Sequence, residues 1–121
     1  MTGAWWDFVD ELATRRVGPI LRSHAQEVGP IVLAWSRHDD LWLRRTSIIC
    51  QIGSKGRTDR ELLYACIEPS LGERDFFLRK AIGWALREHA KTDPGAVARY
   101  VDARAEDLSP LSRREALKHL S

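Results

Sequence analysis

The chain has 121 residues and a mass of 13.8 kDa, which is enough for one domain with a single hydrophobic core. Hydrophobic residues make up 44% and charged residues 30%, a composition that is typical of a globular protein and excludes a disordered one. Nineteen Lys and Arg against seventeen Asp and Glu leave a net charge of only +2 at pH 7, which is too weak to indicate a polybasic tail but leaves room for a basic face on one side.

The sequence carries no membrane or export signal. No apolar run approaches the roughly 20 residues that a membrane span needs. The opening residues MTGAWWDF lack the positive region and apolar stretch of a secretory signal. Cys50 and Cys66 have no CxxC spacing and are predicted to be buried thiols, and the four histidines show no metal-ligand spacing. We therefore expect a cytoplasmic protein with no membrane partner and no metal.

Helix start signals are frequent along the chain, and strand signals are nearly absent. Asp93 and Ser109 each precede a proline, the pattern of an N-cap followed by proline at the first helical position. Thr58-x-x-Glu61 and Ser112-x-x-Glu115 fit the spacing of a capping box. These signals and the apolar periodicity predict an all-α fold with helices near 4–15, 18–27, 30–37, 40–53, 59–69, 74–91, 94–106 and 110–120.

A repeat of about 35 residues organises these helices. Residues 42–49 align with residues 77–84 at an offset of 35, and residues 112–116 form a third copy. Helix pairs of this length bury their apolar faces by stacking, so the repeat predicts an α-solenoid of antiparallel helix pairs in one domain over residues 1–121. Chance similarity between amphipathic helices is the alternative. Stacking would place the equivalent residues Asp10, Arg45 and Lys80 in one row.

One face of this fold is predicted to combine aromatic, acidic and basic groups. Trp6 and Asp10 are four residues apart on the first helix, and Lys80, Trp84 and Arg87 follow helical spacing on a later one. Gly83 is predicted to allow a ligand close to this surface. Cations suit DNA phosphates, whereas a carboxylate and indole rings suit a positively charged ligand such as an alkylated purine. Such a base is also a good leaving group, and a carboxylate would stabilise the positive charge that develops on the deoxyribose or would activate water.

Each of these residues also has a structural alternative. Tryptophans at helical spacing are more often core residues, which is the reading adopted for Trp5, Trp35 and Trp42. Asp10 could simply complement a helix dipole or a neighbouring arginine. The arginine pairs could be solvated faces that form ion pairs within one helix. Spacing alone leaves these alternatives open.

Four blocks in order carry a resemblance to a known family: residues 5–10 (WWDFVD), 42–46 (WLRRT), 76–88 (FFLRKAIGWALRE) and 108–116 (LSPLSRREA). Together they resemble the DNA alkylation repair enzymes of the HEAT-like repeat superfamily. The resemblance implies a HEAT-like solenoid and a monofunctional DNA glycosylase that excises cationic N3- and N7-alkylated purines from double-stranded DNA without a metal or cofactor. Members of that family are understood to leave the base in the stack, unlike other glycosylases.

The resemblance also implies roles for individual residues. Asp10 matches the catalytic carboxylate, Trp6 and Trp84 match the two lesion-binding indoles, and Arg45 matches an arginine that contacts DNA beside the lesion. Lys80 is expected from the repeat to bind a phosphate. Family members are longer, with helical repeats before the first block, so the chain is expected to lack those N-terminal repeats and could self-associate through the uncovered end. The alternative function is a non-catalytic HEAT-like module that binds DNA or protein.

Overall fold

The computed structural model of the protein describes residues 8–118, and within this range the chain forms seven helices and no strand. The prediction of an all-α fold is therefore confirmed. Helix α1 follows one helical path over residues 8–23. The other six are α2 (Ala25–Trp35), α3 (Leu41–Ile49), α4 (Arg60–Ile67), α5 (Phe76–Ala90), α6 (Pro94–Ala103) and α7 (Pro110–Ala116), with short 3₁₀ turns at Lys55–Arg57 and Glu68–Ser70.

The helices pack in two rows. In the first row, α1 packs on α3, α3 on α5 and α5 on α7, whereas in the second row α2 packs on α4 and α4 contacts α6 through Tyr64. Contacts along the first row join residues about one repeat apart, such as Asp10 with Arg45 and Ser112 with Arg79. This is the neighbour pattern that stacked helix pairs would produce. The HEAT-like solenoid itself stays a prediction.

The core lies between the two rows. Its largest fully buried side chains include Ile48 and Ile49 of α3 and Leu78, Ile82 and Leu86 of α5. A smaller cluster holds Leu21, Val32, Cys50 and Cys66, with Trp35 packed against it. Both cysteines are buried free thiols, as predicted, and loss of solvation raises the pKa of each to about 12.

The first two predicted helix boundaries are wrong. The predicted break between residues 15 and 18 is absent, because a π-helical turn at Ala13–Val17 leads directly into the α-helical segment Gly18–Ser23. The helical path ends instead at His24. The predicted break between residues 27 and 30 is also absent, and Pro30 lies inside α2. Val32 is buried and Trp35 is partly buried in the same cluster, and this packing offsets the backbone hydrogen bond that Pro30 removes.

Two of the four predicted helix caps are confirmed. The side chains of Asp93 and Ser109 accept hydrogen bonds from the first turns of α6 and α7, and a proline follows each of them. The two predicted capping boxes, which begin at Thr58 and Ser112, are wrong. Asp59, one residue after Thr58, caps α4. Ser112 lies buried inside α7, where its hydroxyl donates to the Arg79 carbonyl at 2.7 Å, because Pro110 starts that helix two residues earlier.

Gly83 has a different role from the predicted one, since α7 rather than a ligand approaches it. A Cβ at this position would lie 2.6 Å from the Glu115 Cβ and 3.2 Å from the Ser112 carbonyl oxygen. The Ser112 oxygen is a backbone atom of α7, and the Glu115 Cβ is bonded directly to that backbone. Neither atom can move away without separating the two helices. Gly83 therefore sets the distance between α5 and α7.

We expect Gly83→Ala to lower the free energy of unfolding by about 1–3 kcal/mol, because the added methyl group would overpack this interface. Gly95→Ala is the control. Its Cβ would lie nearest to the flexible end of Arg99 and at ordinary contact distance from the Asp93 carboxylate, so the substitution is expected to be neutral or slightly stabilising. Urea unfolding followed by circular dichroism measures both. Equal stability of the two variants would contradict the assigned role of Gly83.

Candidate functional site

The centre of the site is an ion pair between α1 and α3. Arg45 donates from Nε to Asp10 Oδ1 at 2.8 Å and from Nη2 to Asp10 Oδ2 at 2.9 Å, so the two planar groups meet in a bidentate arrangement. The Asp10 side chain is 20% exposed, whereas the Arg45 side chain is only 7% exposed. Arg45 therefore fixes the orientation of the Asp10 carboxylate, and part of that carboxylate remains accessible to solvent.

The fold directs Arg45 inward. Asp40 caps the start of α3 by accepting from the Trp42 amide, and this fixes where the helix begins. Arg45 contacts both neighbouring helices of the first row. It donates to Asp10 of α1, and its Nη1 donates to the Phe77 carbonyl of α5 at 2.5 Å. Every nitrogen of the guanidinium group donates a hydrogen bond within the protein. The side chain links three successive helices.

Other arginines of the first row also neutralise carboxylates between segments. Arg44 donates to Glu73 at 3.2 Å and to the Ser70 hydroxyl at 2.9 Å, and Arg87 donates to Glu115 at 3.0 Å. The alternative interpretation, in which the arginines form ion pairs within one helix, therefore does not hold for Arg87. These two arginine–glutamate pairs were missed in the sequence, because their partners lie 28 and 29 residues away.

The structure leaves a second group of first-row cations without carboxylate partners. Its exposed members are Arg16, Lys80, Arg113 and Arg114, and none of them pairs with an acidic side chain within residues 8–118. The Lys80 ammonium lies 5.9 Å from the centre of the Phe76 ring. Lys80 therefore keeps its charge available at the surface, as a phosphate contact requires.

Charge is divided unequally between the two rows. Across residues 8–118, α1, α3, α5 and α7 carry ten Lys or Arg and four Asp or Glu, a net charge of +6. Helices α2, α4 and α6 carry two basic and three acidic residues, a net charge of −1. The small net charge of the whole chain therefore conceals one strongly positive layer, which attracts polyanions.

Comparison with known proteins decides the family. The sequence profile described as DNA alkylation repair enzyme matches residues 1–120. The chain belongs to this family. A solved structure described as a predicted DNA alkylation repair enzyme from Enterococcus faecalis shares 33% sequence identity, with a TM-score of 0.86 over 97% of the present chain. The match covers 54% of that protein, so the chain spans about half its length. The comparison with curated proteins finds no match.

The family blocks fall partly inside the structure. Asp10 and Arg45 are brought together, and Lys80 and Trp84 lie one turn apart on α5. Trp84 is half-buried and packs against the core. Trp6 lies outside the described residues, and so does Trp5. The resemblance to this family stated from the sequence is therefore confirmed, whereas the individual roles of Trp6, Asp10, Arg45, Lys80 and Trp84 stay predictions.

Two further properties bear on the chemistry of this DNA alkylation repair family member. Within residues 8–118, no group of three or more His, Cys, Asp or Glu is arranged to hold a metal ion, and no helix is both long and apolar enough to cross a membrane. His24 and His38 are exposed, whereas His89 is buried and burial lowers its pKa. His119 lies outside the described residues.

Proposed function

We propose that this protein is a DNA glycosylase that hydrolyses the N-glycosidic bond of cationic N3- and N7-alkylated purines in double-stranded DNA. The observation that carries the proposal is the Asp10 carboxylate, which is partly exposed, rigidly oriented by Arg45 and placed in a layer of net charge +6. The positive layer would bind the DNA backbone. The carboxylate would provide negative charge at one fixed point within it.

Asp10 would act on the positive charge that forms as the bond breaks. The alkylated base leaves as a neutral molecule, and positive charge develops on the deoxyribose. A fixed carboxylate stabilises that charge without reorganising during the reaction. Each Asp10 oxygen accepts one bond from Arg45 and keeps further lone pairs for a sugar or an attacking water. No metal or cofactor takes part in this proposal.

The remaining site residues would position the lesion and the backbone. Trp6 and Trp84 would contact the charged nucleoside, since an indole face attracts a cation by about 0.5–2 kcal/mol. Lys80 would bind a phosphate. Arg45 would orient Asp10 in the free protein. A contact between Arg45 and DNA beside the lesion, as expected from the sequence, would require the guanidinium to exchange one of its protein acceptors for a phosphate oxygen.

Incubation of the protein with methylated duplex DNA tests the proposal. We expect release of 3-methyladenine or 7-methylguanine, measured by chromatography, together with heat-labile strand breaks at the resulting abasic sites. Unmethylated duplex of the same sequence is the control. Absence of base release would contradict the proposed reaction.

A non-catalytic module that binds DNA or protein is the second candidate. The bidentate ion pair favours this non-catalytic candidate. Arg45 neutralises the negative charge of Asp10, and the proposed reaction depends on that charge. The two candidates differ in one measurement. Binding to methylated duplex without release of base would support the module, whereas base release would exclude it.

We also propose self-association through α1 and α2. Five large apolar side chains on these helices are exposed: Phe8, Leu12, Ile20, Ile31 and Leu33. Exposed apolar groups on one end of a helix stack favour contact with another copy. Sedimentation velocity is expected to show dimers that Ile20→Asp removes and that the control Phe76→Asp, on α5, retains. A monomer at all concentrations would contradict this proposal.

A further inference from the structure

A cavity of about 330 Å³ lies between the turn that follows α3 and the end of α5. Its apolar lining consists of Ile48, Ile52, Leu63 and Ala85. Sites for small molecules have volumes of about 300–1,000 Å³ and combine an apolar lining with a few polar groups. The cavity is therefore large enough for one small organic molecule.

His89 supplies the unusual polar group of this lining. The residue is only 8% exposed, and it borders both this cavity and a neighbouring one of about 390 Å³. Neither nitrogen of its imidazole ring has a hydrogen-bond partner within residues 8–118. Tyr64 meets the ring edge-on with the two ring centres 6.5 Å apart, and its hydroxyl donates to the Ala96 carbonyl instead. Because buried polar groups nearly always have partners, the two nitrogens indicate a ligand in the cavity.

The remaining polar groups of the cavity favour an uncharged ligand. Lys91 forms an ion pair with Glu88, and the Gln51 amide exchanges two hydrogen bonds with the backbone at the start of α4. Lys55 is exposed, so its charge is solvated. Burial lowers the pKa of His89, and its imidazole is therefore neutral near neutral pH and offers one donor and one acceptor.

We propose that this cavity binds a small uncharged nitrogen heterocycle, with its flat face against the apolar lining and a ring nitrogen hydrogen-bonded to His89. Such a rigid ring joins an apolar face to a polar edge and loses little conformational entropy on binding. A water molecule could pair with a His89 nitrogen, but it would leave the apolar lining unfilled, whereas a heterocycle satisfies both. Both nitrogens are buried, so the imidazole would turn about its Cβ–Cγ bond to meet the ligand, a rotation that is soft in histidine.

The cavity is separate from the proposed reaction site. His89 and Phe77 lie about 18 Å apart along α5, and Phe77 is the residue whose carbonyl accepts from Arg45. The inference therefore does not depend on the proposed function, and either can hold without the other.

Two probes of the same shape test the inference. Benzimidazole has one donor and one acceptor nitrogen, whereas indene has neither. The full chain is titrated with each probe at about pH 8, where the His89 imidazole is uncharged, and binding is followed by NMR through the ring nitrogens of His89. Benzimidazole should bind about fivefold more tightly than indene, the value of one hydrogen bond, and should shift those resonances. No shift at His89, or equal binding of the two probes, would overturn the inference.

His89→Phe keeps a flat ring but removes both nitrogens, so the two probes should bind equally to this variant. His24→Phe is the matched control, because His24 is an exposed histidine at the break between α1 and α2, and it should retain the fivefold preference. A preference that persists in His89→Phe or disappears in His24→Phe would also overturn the inference. If His89→Phe does not fold, the His89 resonances of the unaltered chain still decide the result.

Discussion

Asp10→Asn is expected to slow the release of alkylated base by about 10²–10³-fold, the cost of removing one fixed electrostatic group from an active site. Asparagine keeps the shape of the side chain and an acceptor oxygen for Arg45, but it removes the negative charge that would stabilise the developing cation. Single-turnover kinetics on methylated duplex, with the released base quantified, measure the effect. Release at the normal rate would show that Asp10 does not act in the reaction.

Glu115→Gln is the matched control for this variant. Glu115 also accepts from an arginine of the neighbouring helix, and its side chain is 22% exposed, close to the value for Asp10. The substitution makes the same change of charge in the same row of helices, two helices beyond α3. We expect base release near the normal rate, because Glu115 lies away from the proposed reaction. Thermal unfolding of both variants confirms that each is folded at the assay temperature.

Arg45→Ala is expected to lower the free energy of unfolding by about 2–4 kcal/mol. Removal of one partner from a buried ion pair costs about 3–5 kcal/mol, and the partial exposure of Asp10 reduces that cost. The Phe77 carbonyl would also lose its side-chain donor. Since a domain of this size is stable by only about 5–15 kcal/mol, this single side chain contributes a large fraction of the stability. Urea unfolding provides the measurement.

Arg87→Ala should cost only about 1 kcal/mol, because both partners of that pair are about one quarter exposed and solvent screens them. Arg45→Lys should recover little of the loss, since an ammonium cannot donate two parallel bonds to Asp10 and a third to Phe77. Equal costs for Arg45→Ala and Arg87→Ala would contradict the role of Arg45 as the link between α1, α3 and α5.

The sequence predicted the helical class and the later helices well, because local signals determine them. Asp93-Pro94 and Ser109-Pro110 fix helix starts, because the Asp93 and Ser109 side chains accept hydrogen bonds from backbone amides three residues later. The early boundaries failed where packing overrides local preference. Gly18 lies against the Cys50 carbonyl oxygen, and this close contact holds α1 on α3 along one uninterrupted path despite Pro19.

The sequence predicted which residues of the candidate site lie on adjacent helices, but it did not predict which of their side chains are buried. The 35-residue offset correctly aligned Asp10 with Arg45, because equivalent positions of stacked helices become neighbours. An offset contains no information about the direction in which a side chain turns. It therefore could not predict that Arg45 points into the protein to Asp10 and Phe77, whereas Lys80 remains at the surface.

The burial of the two cysteines has a consequence for a member of a DNA alkylation repair family. The thiolate is the form of cysteine that reacts with electrophiles, and its fraction near neutral pH falls tenfold with each unit that the pKa rises. With pKa values of about 12 and no solvent access, Cys50 and Cys66 are poor nucleophiles. Methylating agents that damage DNA would therefore leave both sulfur atoms unmodified while the protein remains folded.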